Sequence, residues 1–260
     1  MTAPRPAVLG DSALLAGRAL RLLWRDPAAL YLSAFFPLIL LLLMSVSFAE
    51  IVLPGRSYRE YVDLSLPLFV AMGVVFAALN TARALHEDVH GGMDDRLRTL
   101  PVAGVAPLLG RIAADTVRNA LTVAIVVVAG IALGFRFTTG PLHVVAFFAV
   151  PLLFGFGVAW FMCLLAVRVT SAETAGAALN ALLLVLSFLS TGFVPGDDLA
   201  SWARPIAAAN PLSAVVEAMR VLAHGGALTG PLLRAAAWTA GLTLVCAPLA
   251  VRAYRARPAR

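Results

Sequence analysis

Six stretches of this chain contain no charged residue: Ala28–Ala49, Leu64–Ala82, Asn119–Phe135, Phe137–Val167, Thr174–Gly196 and Ala235–Val251. A helix needs about 20 apolar residues to cross the hydrocarbon core of a bilayer, with a range of about 17–25. Four runs match that length directly. The fourth run is long enough for a loop plus a span, so its helix is expected to begin near Pro141 or His143. The last is marginal unless Leu232 and Leu233 join it. The composition agrees. The chain is 61% hydrophobic and 13% charged, whereas about a quarter of the residues of a soluble domain are charged. The expected fold is an all-α integral membrane protein with six transmembrane helices.

Charge then orients the spans. The chain has 20 basic residues besides His, all of them Arg, which reads as GC-rich coding and a bacterial source. With the N-terminus inside, the inward segments 1–27, 83–118, 168–173 and 252–260 hold 4, 5, 1 and 4 Arg, 14 in all. The outward segments hold 6. Basic residues favour the cytoplasmic side, so both termini are expected in the cytoplasm, in the inner membrane of a bacterium. The net charge of +6 is accounted for by juxtamembrane Arg facing anionic lipid, and nucleic acid is not needed to explain it. The region before the first run carries four Arg, and the run exceeds the 7–15 residues usual for a signal-peptide core, although Ser47-Phe48-Ala49 has the look of a cleavage site. Cys163 and Cys246 fall inside spans and read as small apolar core residues.

Three domains of the chain follow: a cytoplasmic amphipathic segment 1–27, a transmembrane region 28–251, and a basic cytoplasmic tail 252–260. In the first, Asp11 or Ser12 is expected to cap a helix. Leu15, Ala19 and Leu22 share one face, and Arg18, Arg21 and Arg25 another. This is the pattern of an amphipathic helix, ending at Asp26-Pro27, and with Trp24 it suits the inner membrane surface. Pro37 and Pro67 are expected to kink the first two spans. No carboxylate is read well inside a span, which disfavours a carrier running on its own proton relay. Segment 192–231 is broken by Gly192, Pro195, Gly196, Pro205, Pro211, Gly225, Gly226, Gly230 and Pro231. It is expected to form short re-entrant-like helices at the outer face, one starting at Asn210-Pro211. Glu217 and Arg220, three apart, could pair on one face of it and shape an outer gate.

Residues 86–101 form a charged helix candidate in the inward loop 83–118. His86-Glu87-x-x-His90 matches the zinc-protease pattern, in which two His one turn apart bind metal and the Glu activates water. A third ligand is required. Gly91-Gly92 follows at once, and no spacing recommends Asp115 or Glu173. Three fixed letters in a charged loop are a weak pattern, outweighed by solvated helix residues, and no metal is expected. A lipid-modifying membrane enzyme would need Asp or His clustered at one membrane face, and only residues 86–95 supply that. A non-transporting structural membrane protein would need neither an ATPase partner nor cargo.

The same loop, Glu87-Asp88-x-x-Gly91-Gly92-Met93-x-Asp95-Arg96-Leu97-Arg98-x-Leu100-Pro101-Val102, resembles the first cytoplasmic loop of ABC-2 type transporter permeases, closest to the daunorubicin-resistance-like drug exporter permeases. The agreement continues in Gly110-Arg111-Ile112-Ala113-Ala114-Asp115-x-x-Arg118-Asn119, in Gly134-Phe135-Arg136-Phe137 and in Asn210-Pro211-Leu212-x-x-Val215-Val216-Glu217-Ala218-Met219-Arg220. The resemblance implies a permease subunit of an ATP-driven exporter of an amphipathic drug, antibiotic, lipid or glycolipid. It implies that a separate ATPase subunit holds ATP and Mg, and that a second permease copy or paralogue completes the complex. The chain has no G-x-x-x-x-G-K-[ST] phosphate loop of its own and is expected to bind no cofactor. Glu87, Asp88, Asp95, Arg96 and Arg98, with Met93, Leu97 and Leu100 as an apolar stripe and Pro101 as the stop, form the expected coupling helix. Such a surface has a few anchors in a polar rim.

Overall fold

Pro and Gly mark where this chain changes direction, and long apolar segments between them leave the backbone one way to satisfy itself, as helix. The computed structural model describes residues 8–25, 27–55, 57–90, 105–169 and 171–256. The helices are α1 (Val8–Arg25), α2 (Pro27–Val52), α3 (Tyr58–His90), α4 (Ala106–Ala132), α5 (Pro141–Arg168), α6 (Ala172–Phe188), α7 (Arg204–Ala209), α8 (Pro211–His224) and α9 (Thr229–Arg255), with a 3₁₀ turn at Gly196–Asp198. No strand occurs among the described residues. The protein is an all-α membrane protein. Among the described residues five helices are long and apolar enough to cross a bilayer, namely Ala34–Val52 within α2, Tyr58–Asp88 within α3, and α4, α5 and α9. Helix α6, with 17 residues, falls just short.

Several boundaries differ from the sequence expectation. Helix α5 does begin at Pro141, and α9 does take in Leu232 and Leu233. Helix α4, however, starts thirteen residues before the charge-free run Asn119–Phe135. Residues 86–90 are the last turn and more of α3, not the start of a separate helix. The only breakers in α3 are Pro67 and Gly73, both far upstream, so nothing stops the helix at His86. Helix α1 starts at Val8, so neither Asp11 nor Ser12 is its cap. Ser12 Oγ instead donates back to the Val8 carbonyl at 2.6 Å.

The bundle has two ends. At one, which carries the turns after α2, α4 and α8, Arg59 Nε donates to the Gly134 carbonyl at 2.7 Å, and Thr138 N donates to the Ala223 carbonyl at 2.9 Å. At the other, α1 lies on the start of α4 at Gly110, Asp88 meets Arg111, and Tyr254 of α9 packs with Leu85 and Leu108. Helix α3 is the central post. It packs on α2, α4, α5, α6 and α8, and Leu66, Leu68, Phe69, Val70, Ala71 and Val74 are fully buried on it. Helices α5 and α9 form the second close pair. Their contact joins Trp160, Cys163, Cys246, Ala250 and Tyr254 to Leu85 and Leu108 in a second apolar cluster. Cys163 and Cys246 are buried and free, as a small apolar core residue would be. Helices α2, α6 and α9 keep one apolar face outward, with Val46, Phe188 and Leu244 at 71%, 64% and 74% exposure, as lipid-facing helices do.

Candidate functional site

Two sites follow from this frame, one at each end. The first is built by the helices that flank residues 91–104. Buried positions on α4 run Leu108, Ile112, Asp115, Asn119, Thr122 and Val126, the i, i+3/i+4, i+7 stripe of a packed helix. That stripe carries Asp115, Arg118 and Asn119 into the interior at 3%, 8% and 2% exposure. The Asp115 carboxylate meets Arg118 Nη2 at 2.8 Å. The same nitrogen donates to the Ala77 carbonyl at 2.5 Å and to Thr81 Oγ1 at 3.0 Å, both on α3. Nearer the end of α3, Arg111 Nη2 donates to Asp88 Oδ2 at 3.2 Å, and His86 Nδ1 lies 3.3 Å from the Ala166 carbonyl of α5. Helix α1 lies across the start of α4 at Gly110. A Cβ there would stand 2.8 Å from Leu15 Cβ and 2.9 Å from the Ser12 carbonyl oxygen, so only glycine allows this approach.

The expectation that no carboxylate sits well inside a span is therefore wrong. Asp115 lies in the spanning helix Ala106–Ala132. In the sequence its charge reads as a loop charge, because the run of uncharged residues begins only at Asn119. The signal that finds it is the apolar stripe, extended backwards from Val126 and Thr122 through the charges.

Of the expected coupling helix, Glu87 and Asp88 close the α3 helix, Glu87 exposed and Asp88 paired with Arg111. Met93, Asp95, Arg96, Leu97, Arg98, Leu100 and Pro101 lie outside the described residues. So do the side chains of Trp24 and Arg25, while the α1 backbone runs through both. Arg18 is partly buried and Arg21 exposed, with Arg21 Nε donating to the Gly17 carbonyl at 3.2 Å.

The second site is the broken segment. The short helices appear as expected, α7 and α8. Asn210 caps α8, its Oδ1 accepting from Leu212 N at 2.9 Å, with Pro211 in the first turn. Its Nδ2 donates to the carbonyls of Leu186 and Leu189 at 2.6 and 3.1 Å, which closes the C-terminal end of α6. Leu212, Val215, Val216, Met219 and Leu222 are all buried, so α8 packs on protein. Glu217 and Arg220 do not pair as expected; each is turned to a different partner. Glu217 binds Arg234 of α9 and accepts from Thr191 Oγ1 at 3.1 Å. Arg220 donates through Nε and Nη2 to the Leu64 carbonyl at 2.9 and 2.7 Å, and through Nη2 to the Gly192 carbonyl at 3.0 Å. Gly192 is needed for this contact, since a Cβ there would lie 2.6 Å from Leu68 Cδ2.

The described residues thus hold an ion pair on α4 tied to α3, and a capped helix α8 tied to the end of α6. The family profile described as ABC-2 type transporter matches residues 12–223. The chain belongs to the ABC-2 type transporter family. This permease is 34% identical over 238 residues to a daunorubicin resistance ABC transporter permease protein, DrrB1, from Streptomyces coeruleorubidus. That match covers 92% of this chain and 83% of the relative. It is 31% identical over 212 residues to a probable doxorubicin resistance ABC transporter permease protein, DrrC, from Mycobacterium tuberculosis (strain CDC 1551 / Oshkosh), covering 80% and 76%. The protein is a multi-pass membrane permease subunit of an ABC transporter, a class that works with an ATPase partner. Of the zinc pattern, His86 Nδ1 lies 3.3 Å from the Ala166 carbonyl, and the His90 side chain lies outside the described residues. Among the described residues no three His, Cys, Asp or Glu side chains converge.

Proposed function

We propose that this permease is half of the membrane path of an exporter for an amphipathic drug, antibiotic, lipid or glycolipid, with ATP and Mg held by a separate cytoplasmic ATPase. The observation that carries this reading is the match to drug-resistance permeases across nearly the whole chain. The Arg distribution, 14 of 20 on one set of segments, supports a cytoplasmic location for residues 91–104 and both termini. Six spans in the bacterial inner membrane follow. Residues 87–101 are then the coupling helix that docks in the ATPase, and α1 is the interfacial helix, lying against inner-leaflet lipid beside it. The segment 192–231, with Asn210, Pro211, Glu217 and Arg220, is the outer gate. A second permease, identical or paralogous, completes the path. The exposed apolar faces of α2 and α6 offer surface for it as well as for lipid. The chain itself hydrolyses nothing.

The test is affinity purification of the tagged permease from its native membrane in mild detergent, beside the Leu97→Asp/Arg98→Glu variant. A stoichiometric soluble partner carrying a phosphate loop is expected with the wild type and lost with the variant, together with transport. Equal recovery of the partner and equal transport in both would remove the coupling assignment. Bound zinc at about one per chain with no such partner would favour the protease instead.

A further inference from the structure

The buried charges on α4 are not explained by docking, gating or cargo. An ion pair confined to one helix, Asp115 with Arg118 at i, i+3, would be most stable with both guanidinium edges on the carboxylate. The geometry is different. One nitrogen, Nη2, serves Asp115, the Ala77 carbonyl and Thr81 together. Arg118 Nε and Asp115 Oδ2 are buried without a hydrogen-bond partner. Hydrogen bonds that the pair could make to itself are left unmade, while Arg118 reaches over to α3. Holding a charge in a buried place is costly unless it is paired and bonded, so the arrangement resists any sliding of α3 against α4 that would separate them.

Position gives the tie a use. Helices α3 and α4 are the two arms that enter and leave residues 91–104. Thr81 is nine residues from His90, and Arg118 is twelve from Ala106, which at 1.5 Å per residue is about 14 and 18 Å from the two ends of the arms. The tie therefore crosses at nearly equal depth on both. The Asp88–Arg111 pair crosses again near the ends, but Asp88 is 40% exposed, and exposed pairs hold weakly.

The geometry points to Asp115, Arg118 and Thr81 as positioning residues that make α3 and α4 one rigid lever, so that displacement at the ends of the two helices reaches the centre of the bundle. This rests on the coupling role proposed above for the loop. The test has a readout in the permease alone. Amide hydrogen exchange is followed over residues 77–90 and 106–118 of the full chain in lipid nanodiscs. The proteins compared are the wild type, Thr81→Val, and the charge-neutral pair Asp115→Asn/Arg118→Gln.

Loss of the tie is expected to speed exchange in both arms together, by about tenfold in the double variant and less in Thr81→Val. Unchanged exchange, or faster exchange in α4 only, overturns the lever. Should the double variant fail to insert, Thr81→Val decides on its own, since it keeps both members of the ion pair and removes the α3 hydroxyl that meets them. With the ATPase present, the same variants are expected to keep partner binding and ATP hydrolysis while transport per ATP falls. Unchanged transport per ATP overturns the role. Absence of any ATPase partner for the wild type would instead remove the coupling reading and leave the exchange result to judge the tie.

Discussion

Arg220 shows how one side chain can hold two distant segments that carry no charge to attract it. Its partners are the carbonyls of Leu64 and Gly192, which no sequence pattern marks, so only a pairing with Glu217 can be read from the spacing. Arg220→Met is expected to remove the side-chain donor from both carbonyls, while Leu64 keeps its place in the α3 helix, at a total cost of about 1–3 kcal/mol. A lower midpoint in a thermal unfolding scan in detergent checks this. Arg220→Lys is expected to recover little, because a point charge cannot replace a planar fork that bonds through two nitrogens. Glu217→Gln is expected to be milder, within about 1 kcal/mol, since Arg234 is 43% exposed and such pairs are weak. Equal losses for the two positions would mean that Arg220 acts only as a charge. Asn210, by contrast, is legible in the sequence. Asn before Pro is a helix start, and α8 begins there. Its two further bonds, to Leu186 and Leu189, have no local signal, so Asn210→Ala is expected to cost more than the ~1 kcal/mol typical of a lost cap.

At the scale of elements, charge-free runs locate the core but not the helix ends. The run at Asn119 hides the first thirteen residues of α4, because in a sequence a charge looks like a sign of solvent. Within the bundle, Asp115 and Arg118 satisfy each other and α3, so the helix continues through them. The contact of α1 with α4 is equally hidden, since Gly110 has no side chain to announce it. Gly110→Val is expected to lift α1 from α4, because the added atoms meet backbone as well as Leu15, and overpacking of this kind costs about 1–3 kcal/mol. Limited proteolysis checks it. Cleavage within residues 8–25 should become faster while α2 to α9 stay protected. Uniform loss of protection would show that α1 is part of the core fold.

For the whole molecule, the six crossings proposed above put both termini on one side, and the course of α6 and α8 bears on that count. Helix α6 begins shortly after α5 ends, and its Gly176 lies near Arg83 and His86 at the end of α3. Its 17 residues extend about 26 Å at 1.5 Å per residue. Just past its end, Gly192 lies against Leu68, ten residues into α3 and thus about 15 Å short of the opposite end. Helix α8 begins from the Asn210 bonds to the α6 end and climbs to Ala223, where Thr138 meets it. Helices α6 and α8 thus follow each other along the bundle, and α9 runs back to place Tyr254 beside Leu85 and Leu108. Helix α1 and the C-terminal part of α9 share one end as a result. Fluorescent-protein fusions at the N- and C-termini are both expected to be fluorescent, as cytoplasmic fusions are. An alkaline phosphatase fusion at Arg136 is expected to be active. A dark C-terminal fusion beside a fluorescent N-terminal one would mean an odd number of crossings, and α6 would then have to be removed from the spans.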